Sequence, residues 1–506
     1  MEPSKKIRYK MRRQPTKDRP RRGELYNLTA KGMIWLGTKS DLLKTAYYLF
    51  SSICFYFVLS RSIDLPIQGD EAGTYLRHVI GGAGSLFNLG TANNHFLNTL
   101  LIKITTFKAG FSEFAIRLPT VVFYAWFYFW YVPKRVFGKD WAGKIIFSGL
   151  SLFPYYFHEY ASMARGYVMS SIFASCAINE LSLSNDLGGE GNIFPNKGRI
   201  NLFASLSALS SIITFPLFVV LIISPFARAK HRLNNLCKYL SMDAQTFALV
   251  LGTLILTVHT FLGIKLSGVG TINAPRASLG HWIVGIKDIL WLPVSSVADS
   301  FGSSSPVFAI AVAVLSWVAL ILSLNSGLLK RSIRFSIWCL FTSLFLLYIL
   351  ALTGNYPVGR GLVPYWLPIC FISTAWLSPW SYNSDIRVLN FKLKRFIPVR
   401  HVLALLFLVG TTTNLIISYE SRYVNEFRPF YYQYKSLMHY SRNQNLQCLS
   451  YGDINDEVLK FYFLNPNGPV PRPEECPHGG KSQYGFMPFN LDNPEPIFTN
   501  HEPEKQ

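Results

Sequence analysis

The sequence predicts an all-α integral membrane protein, and three observations carry that prediction. Half of the 506 residues are hydrophobic while only 15% are charged, well below the roughly 25% of a soluble globular chain. Apolar runs approaching the ~20 residues that a helix needs to cross a bilayer recur along most of the chain. The formal charge of +21 gathers in alternate segments between those runs, as retention of Lys and Arg in the cytoplasm requires. A basic surplus also suits nucleic acid. No RNA- or DNA-binding signature accompanies it here, and the expectation is a membrane partner and no nucleic acid.

Residues 1–41 form a basic arm containing Lys5, Lys6, Arg8, Arg12, Arg13, Arg21 and Arg22, expected to be disordered and cytoplasmic. The run that follows, 42–60, is too long for the core of a signal peptide and no small-residue cleavage site follows it. It is therefore expected to be retained as the first of about eleven spans. The others are expected at 117–132, 141–157, 166–184, 200–213, 215–227, 245–262, 306–324, 335–353, 363–380 and 401–418. The fifth and sixth pivot tightly on Thr214, Phe215 and Pro216.

Charge tests this order. With each crossing switching sides, Lys134, Arg135 and Lys139 fall on the side of the arm. So do Lys197 and Arg199, then Arg228, Lys230, Arg232 and Lys238, then Lys330, Arg331 and Arg334, then Arg387, Lys392, Lys394, Arg395 and Arg400. The apolar stretch His95 to Phe107 must then not cross. It carries Lys103 in its middle, and Phe96, Leu100 and Ile104 recur at helical spacing, which describes an extracytoplasmic helix lying in the interface.

Three units result: the arm 1–41, a transmembrane domain 42–418 whose first outward loop is 61–116, and a small extracytoplasmic C-terminal cap or tail 419–506. Cys54, Cys176, Cys339 and Cys370 fall inside spans and Cys237 in a cytoplasmic loop, where they read as small hydrophobes. Cys448 and Cys476 lie in the tail, in an oxidising space, and are expected to form a disulfide. Metal ligation by the two thiols is the alternative.

Ionisable residues collect at the outer ends of the spans. Asp70 and Glu71 follow the first span, in Asp64-Leu-Pro-Ile-Gln-Gly-Asp70-Glu71-Ala-Gly-Thr-Tyr75. A carboxylate there can act as a general base on an acceptor hydroxyl. The pair can equally be solvated acids in the first turn of a helix over 72–79, favoured by its dipole. Asn94 and His95 open the interfacial helix, and Phe153-Pro-Tyr-Tyr-Phe-His158-Glu159-Tyr-Ala-Ser-Met-Ala-Arg165-Gly-Tyr167 turns between the third and fourth spans. Glu159 and Arg165 either neutralise each other or are used, because charges at membrane level are costly otherwise. Asp70, Glu159, His95 and His158 include the oxygen and nitrogen donors of an Mg²⁺ or Mn²⁺ site, although histidines so far apart more often bond to backbone or headgroups.

These segments, taken in order, resemble the GT-C superfamily of polyprenyl-phosphate-sugar-dependent glycosyltransferases, in the branch of protein O-mannosyltransferases and the aminoarabinose transferase of lipid A. The resemblance rests on Asp70-Glu71, on Asn94-His95, on Ser112-Glu113 with Arg117-Leu118-Pro119, on Arg135-Val-Phe-Gly138, and on the turn from Glu159 to Tyr167. It covers about the first 180 residues; beyond them it rests on hydropathy, the Thr214-Phe215-Pro216 hairpin, and Arg360 ahead of Pro364 and Pro368. It implies a GT-C-like bundle in which Asp70 is the catalytic base and Glu71 and Glu159 organise the site, with or without a divalent cation. The family's second acidic position is often Asp, and Glu159 is longer by one methylene.

The implied reaction moves a monosaccharide from a polyprenyl-phosphate donor to an acceptor hydroxyl, with inversion, on the extracytoplasmic face. The phosphate is already a good leaving group, so one base suffices. Arg360 and then Arg165 are the preferred phosphate holders, because their planar forks match phosphate oxygens; Lys265 and Arg276 are further candidates. Asn94, His95, His158 and Tyr167 are expected to contact substrate. The acceptor class, whether lipid, glycan or protein, stays open. A transporter or lipid flippase would instead place ionisable residues at mid-span, in paired broken helices. A non-catalytic assembly protein would tolerate Asp70→Asn. The expected location is a bacterial plasma membrane, with the N-terminus cytoplasmic and the C-terminus extracytoplasmic, since the one sequon, Asn27-Leu28-Thr29, lies in the arm.

Overall fold

Helices account for nearly all of the regular structure. The computed structural model describes residues 22–81, 83–87, 95–110, 112–184, 197–228, 244–267, 321, 331–352, 363–375 and 396–418, together with 448–449 and 474–475. In chain order the helices are α1 (Arg22–Asp64), α2 (Gly69–Thr74), α3 (Phe96–Ala109), α4 (Glu113–Trp126), α5 (Val132–Arg135), α6 (Trp141–Leu152), α7 (Tyr155–Ala161), α8 (Gly166–Ser184), α9 (Lys197–Ser210), α10 (Phe215–Arg228), α11 (Ala244–Ser267), α12 (Arg331–Leu352), α13 (Val363–Ala375) and α14 (Phe396–Ser418). Every expected span except 306–324, which falls outside the described residues apart from Ile321, is helical over most of its described residues. A two-residue parallel bridge pairs Cys448 with Glu474 and Leu449 with Glu475. Cys476, the expected disulfide partner of Cys448, lies outside the described residues, as do Asn94, Arg276 and Arg360.

Side-chain contacts fix how the helices alternate. At one end, Arg117 in α4 reaches the carbonyls of Ser62 and Pro66, just where α1 finishes, at 3.2 and 2.8 Å. Trp366 at the start of α13 donates to Ser151 near the end of α6, at 2.9 Å, and Asn414 near the end of α14 donates to Phe153, at 2.8 Å. At the opposite end, Tyr47 in α1 donates to Tyr128 at 2.6 Å, and Asn179 near the end of α8 donates to Tyr131 at 3.2 Å. Arg199 at the start of α9 stands 3.9 Å from Glu180. By these bonds α1 with α4, α8 with α9, and α6 with α13 run antiparallel. We call the end holding Asp70 the first rim.

Helix α3 does not follow that alternation, because both of its ends are pinned to the first rim. Near its start Asn98 donates to the carbonyl of Ala164, 3.0 Å away, and near its end Thr105 reaches the carbonyl of Ala115, 2.8 Å away. The second bond has a local cause. Pro119 lies inside α4 and has no N–H, so the carbonyl four residues earlier, that of Ala115, is left open for the Thr105 hydroxyl.

The expected span 141–157 is broken at Phe153–Pro154 into α6 and α7. A helix end leaves carbonyls without partners, and three side chains from three helices take them. Ser151 accepts from Trp366, Leu152 meets His158 Nε2 at 2.7 Å, and Phe153 accepts from Asn414. Another break sits in the first outward loop, where the helix expected over 72–79 is instead α2 followed by a widened π turn, Tyr75–Val79, closed by the Ile80 N–H on the Tyr75 carbonyl at 3.1 Å.

The interior is mixed rather than oily. Ser170, Ser207 and Thr214 close a triangle of hydroxyl bonds of 2.9 to 3.2 Å joining α8, α9 and the hairpin before α10. The outward surface is the reverse, with Leu49, Tyr56, Leu251, Ile255, Leu405, Leu406, Val409 and Ile417 exposed along α1, α11 and α14. Among the described residues, Asp41–Asp64 is the one segment both long and apolar enough to cross a membrane by itself, and Ile212–Ile223, Gln245–Thr260, Ile333–Leu347, Val363–Ala375 and His401–Ile417 are further apolar helical stretches. Polar side chains also lie within the bundle: α8 alone buries Ser170, Ser171, Ser175, Asn179, Glu180 and Ser182.

One glycine controls the packing of α8. A Cβ at Gly166 would lie 2.0 Å from the Ser210 carbonyl oxygen and 2.8 Å from Cβ of His95, so α3, α8 and the end of α9 meet there only because no side chain intervenes. Gly166→Ala is expected to lower the stability of the purified protein by about 1–3 kcal/mol, read as an earlier thermal transition in a detergent micelle. Gly252→Ala, where nothing lies within 4 Å, should leave that transition unchanged or raise it slightly.

Candidate active site

The two adjacent carboxylates after α1 have opposite fates. Gln68 caps α2, which puts Asp70 and Glu71 in its first turn. Helical rotation then points them apart. Glu71 is fully buried, and Arg117, also fully buried, grips it with two bonds, Nε to Oε1 at 3.1 Å and Nη2 to Oε2 at 2.8 Å. The same carboxylate accepts from the backbone N–H of Gln68 at 3.1 Å and from that of Ala164. It is not one of the solvated helix-start acids considered from the sequence, because four donors from three segments enclose it.

Arg117 is equally enclosed. Its remaining donors go to the backbone carbonyls of Ser62, Leu65 and Pro66. A planar guanidinium with several N–H groups in fixed directions is suited to this task, which a lysine could not perform. One ion pair thus ties the end of α1, the start of α2, the start of α4 and the turn between α7 and α8.

That turn carries Arg165. The peptide groups of Ala164 are held from both sides, its N–H by Glu71 and its carbonyl by Asn98. The next residue consequently meets the neighbour of Glu71: Arg165 forms an ion pair with Asp70. Asp70 is the open partner, with its side chain 52% exposed, whereas that of Arg165 is 15% exposed. The guanidinium lies near the rings of Tyr160 and Tyr167, with centroids 6.0 and 5.9 Å away, within the range of cation–π attraction.

Of the other residues expected at the site, Tyr167 is present and stands edge-on to His95, with ring centroids 4.7 Å apart. Glu159 lies on α7 at the same rim, partly exposed, and its carbonyl accepts from the Ser162 hydroxyl at 2.7 Å. That hydroxyl is also 3.3 Å from Nε of Arg61, which is itself buried. His158, although next to Glu159, turns inward to the carbonyl of Leu152. Burial pushes the His158 and His95 imidazoles down to about 4, so both are neutral near pH 7. Lys265 falls in the last turn of α11.

The four suggested metal ligands do not fit a common ion. One nitrogen of His158 is engaged with backbone, His95 is packed against Gly166 and Tyr167, and among the described residues no three His, Cys, Asp or Glu side chains gather at one point.

Arg61, Asn98 and Ser162 were not singled out from the sequence, and Arg117 only as part of a motif. The signal for the arginines was their place at the ends of apolar runs, where an unpaired guanidinium would be costly. The signal for Asn98 and Ser162 was absent, since each acts through a backbone group distant in sequence.

Two outcomes are expected. Glu71→Gln leaves Arg117 buried without its counter-charge and should cost about 3–5 kcal/mol, measured as the shift in thermal unfolding of the protein in lipid nanodiscs. Stability should also fall as pH drops from about 6.5 toward 4. The unfolded chain takes up protons at His95 and His158 across that window while the folded chain keeps both neutral, so unfolding becomes favoured as acid is added. His158→Gln, which can still donate to Leu152, should flatten that slope in a pH series of unfolding measurements.

Comparison with protein families, with curated proteins and with solved structures finds no match to this chain.

Proposed function

We propose that the protein is a GT-C-like membrane glycosyltransferase that moves a monosaccharide from a polyprenyl-phosphate donor to an acceptor hydroxyl, with inversion, at the extracytoplasmic face of a bacterial plasma membrane. The observation that carries this reading is the pairing of an accessible carboxylate, Asp70, with a fixed guanidinium, Arg165, on a buried clamp at one rim of the helix bundle. A base and a phosphate-binding cation, held side by side at the end of a bundle, are what the transfer requires.

Asp70 takes the proton from the acceptor hydroxyl as that oxygen bonds to the anomeric carbon from the face opposite the phosphate. The bond from that carbon to the phosphate oxygen breaks, and its electron pair leaves with the polyprenyl phosphate. Arg165 stabilises the charge on the departing oxygens. Arg360 remains the preferred second holder by its place before α13, and Glu159 a further carboxylate at the same rim. No general acid is needed, in contrast to glycoside hydrolysis, where a carboxyl group must protonate an alkoxide.

Membrane placement is supported by the apolar outer surface of the bundle. Exposed Leu, Ile, Val and aromatic side chains run along α1, α11 and α14, while Ser, Thr, Asn and Arg lie inside and are largely hydrogen-bonded. Close-packed helices joined by small polar residues suit an apolar solvent. Among the described residues, Arg135 and Arg199 lie at the end of α8 opposite Asp70, beside Asn179 and Glu180, which supports a rim that faces away from the cytoplasm.

The test is turnover of a lipid-phosphate sugar by the purified full chain in nanodiscs. Asp70→Asn should reduce transfer at least ~100-fold with little change in thermal stability, because the side chain is open to solvent. Full activity in that variant would remove Asp70 as the base.

A further inference from the structure

We propose that Asp70 and Arg165 are an exchange pair: Asp70 occupies the arginine in the resting protein, and the phosphate of a prenyl-phosphate donor displaces it, so that the base is released only once the donor is seated. This rests on the reading of the rim as a phosphate-linked transfer site, and it adds a binding order, donor before acceptor.

The asymmetry between the neighbouring carboxylates carries the inference. Glu71 is enclosed by Arg117 and by two backbone N–H groups, so no incoming anion can take its place. Asp70 has its side chain 52% exposed and can move into water at small cost. Arg165 is the more enclosed partner, its side chain 15% exposed. The backbone before it is clamped at Ala164 by Glu71 and Asn98, and its guanidinium lies near the Tyr160 and Tyr167 rings. The cation is therefore the enclosed member of the pair and the carboxylate the one that faces water and can be replaced.

A phosphate is the ligand such a vacated fork fits. It offers more negative charge than a carboxylate and oxygens in the geometry that a guanidinium bonds two at a time. Once it holds Arg165, the Asp70 carboxylate has lost that counter-cation and is open to a hydroxyl proton. An acceptor arriving first would find the carboxylate already paired.

The test measures equilibrium binding of farnesyl phosphate to the full chain in nanodiscs. Removing the internal competitor with Asp70→Asn should tighten binding about three- to fivefold, whereas Arg165→Gln should weaken it about tenfold. In the double variant the gain from Asp70→Asn should vanish. Farnesol, which lacks the phosphate, should respond to neither change. Unchanged or weaker binding by Asp70→Asn overturns the exchange, as does a gain that persists without Arg165 or an absence of binding in both the parent and the variant. An equal response to inorganic phosphate would make this a free-phosphate site and overturn the lipid assignment. Failure of the transfer reaction is separate: it would appear as no product from any lipid-phosphate sugar, with the opposite binding shifts of the two variants intact.

Discussion

A single buried ion pair, Glu71 with Arg117, holds the first rim together. Neither residue has an exposed side chain, and their bonds reach five backbone groups, four between Ser62 and Gln68 and one at Ala164. Two charges withdrawn from solvent are tolerated only when every polar atom is used, and here the unused donors of Arg117 close the end of α1 while the unused lone pairs of Glu71 hold Gln68 and Ala164. Position then follows from covalent connection. Asp70 and Arg165 meet because their neighbours, Glu71 and Ala164, are already bonded.

The rest of the bundle repeats that logic with uncharged groups. At two interruptions a side chain from another helix takes the freed backbone group: Thr105 at the Pro119 break, and Trp366, His158 and Asn414 at the Phe153–Pro154 break. Such satisfaction matters most where water is scarce. It also locks each break to a partner, so that the rim is built from irregular backbone that cannot slide. A site on such a frame holds its charges at fixed separations, the condition for electrostatic stabilisation of a transferring group.

The helices were legible because hydropathy records burial one residue at a time, and the antiparallel order was legible because Lys and Arg recur on alternate loops. The lie of α3 along the rim followed from the same charge parity and from Lys103, which reaches the carbonyl of Val79 at 3.0 Å. The clamp was not legible. Asp70 and Glu71 are chemically alike and adjacent, and only the α2 rotation and the approach of Arg117 from 46 positions away separate one into the interior. His158 is expected from the sequence to contact substrate, yet a helix turns successive side chains by about 100°, and it faces the broken end of α6 instead. The importance of Gly166 was hidden too, since it lies in what no side chain may occupy.

A double-mutant cycle on Glu71 and Arg117 tests the clamp most directly, using Glu71→Gln, Arg117→Met and the two combined, with the unfolding free energy of the full chain in nanodiscs as the readout. If the pair organises the rim, the combined variant should lose little more than either single one, because each alone strands its partner. Losses that simply add would mean that the two residues act independently, and the placement of Asp70 beside Arg165 would lose its cause.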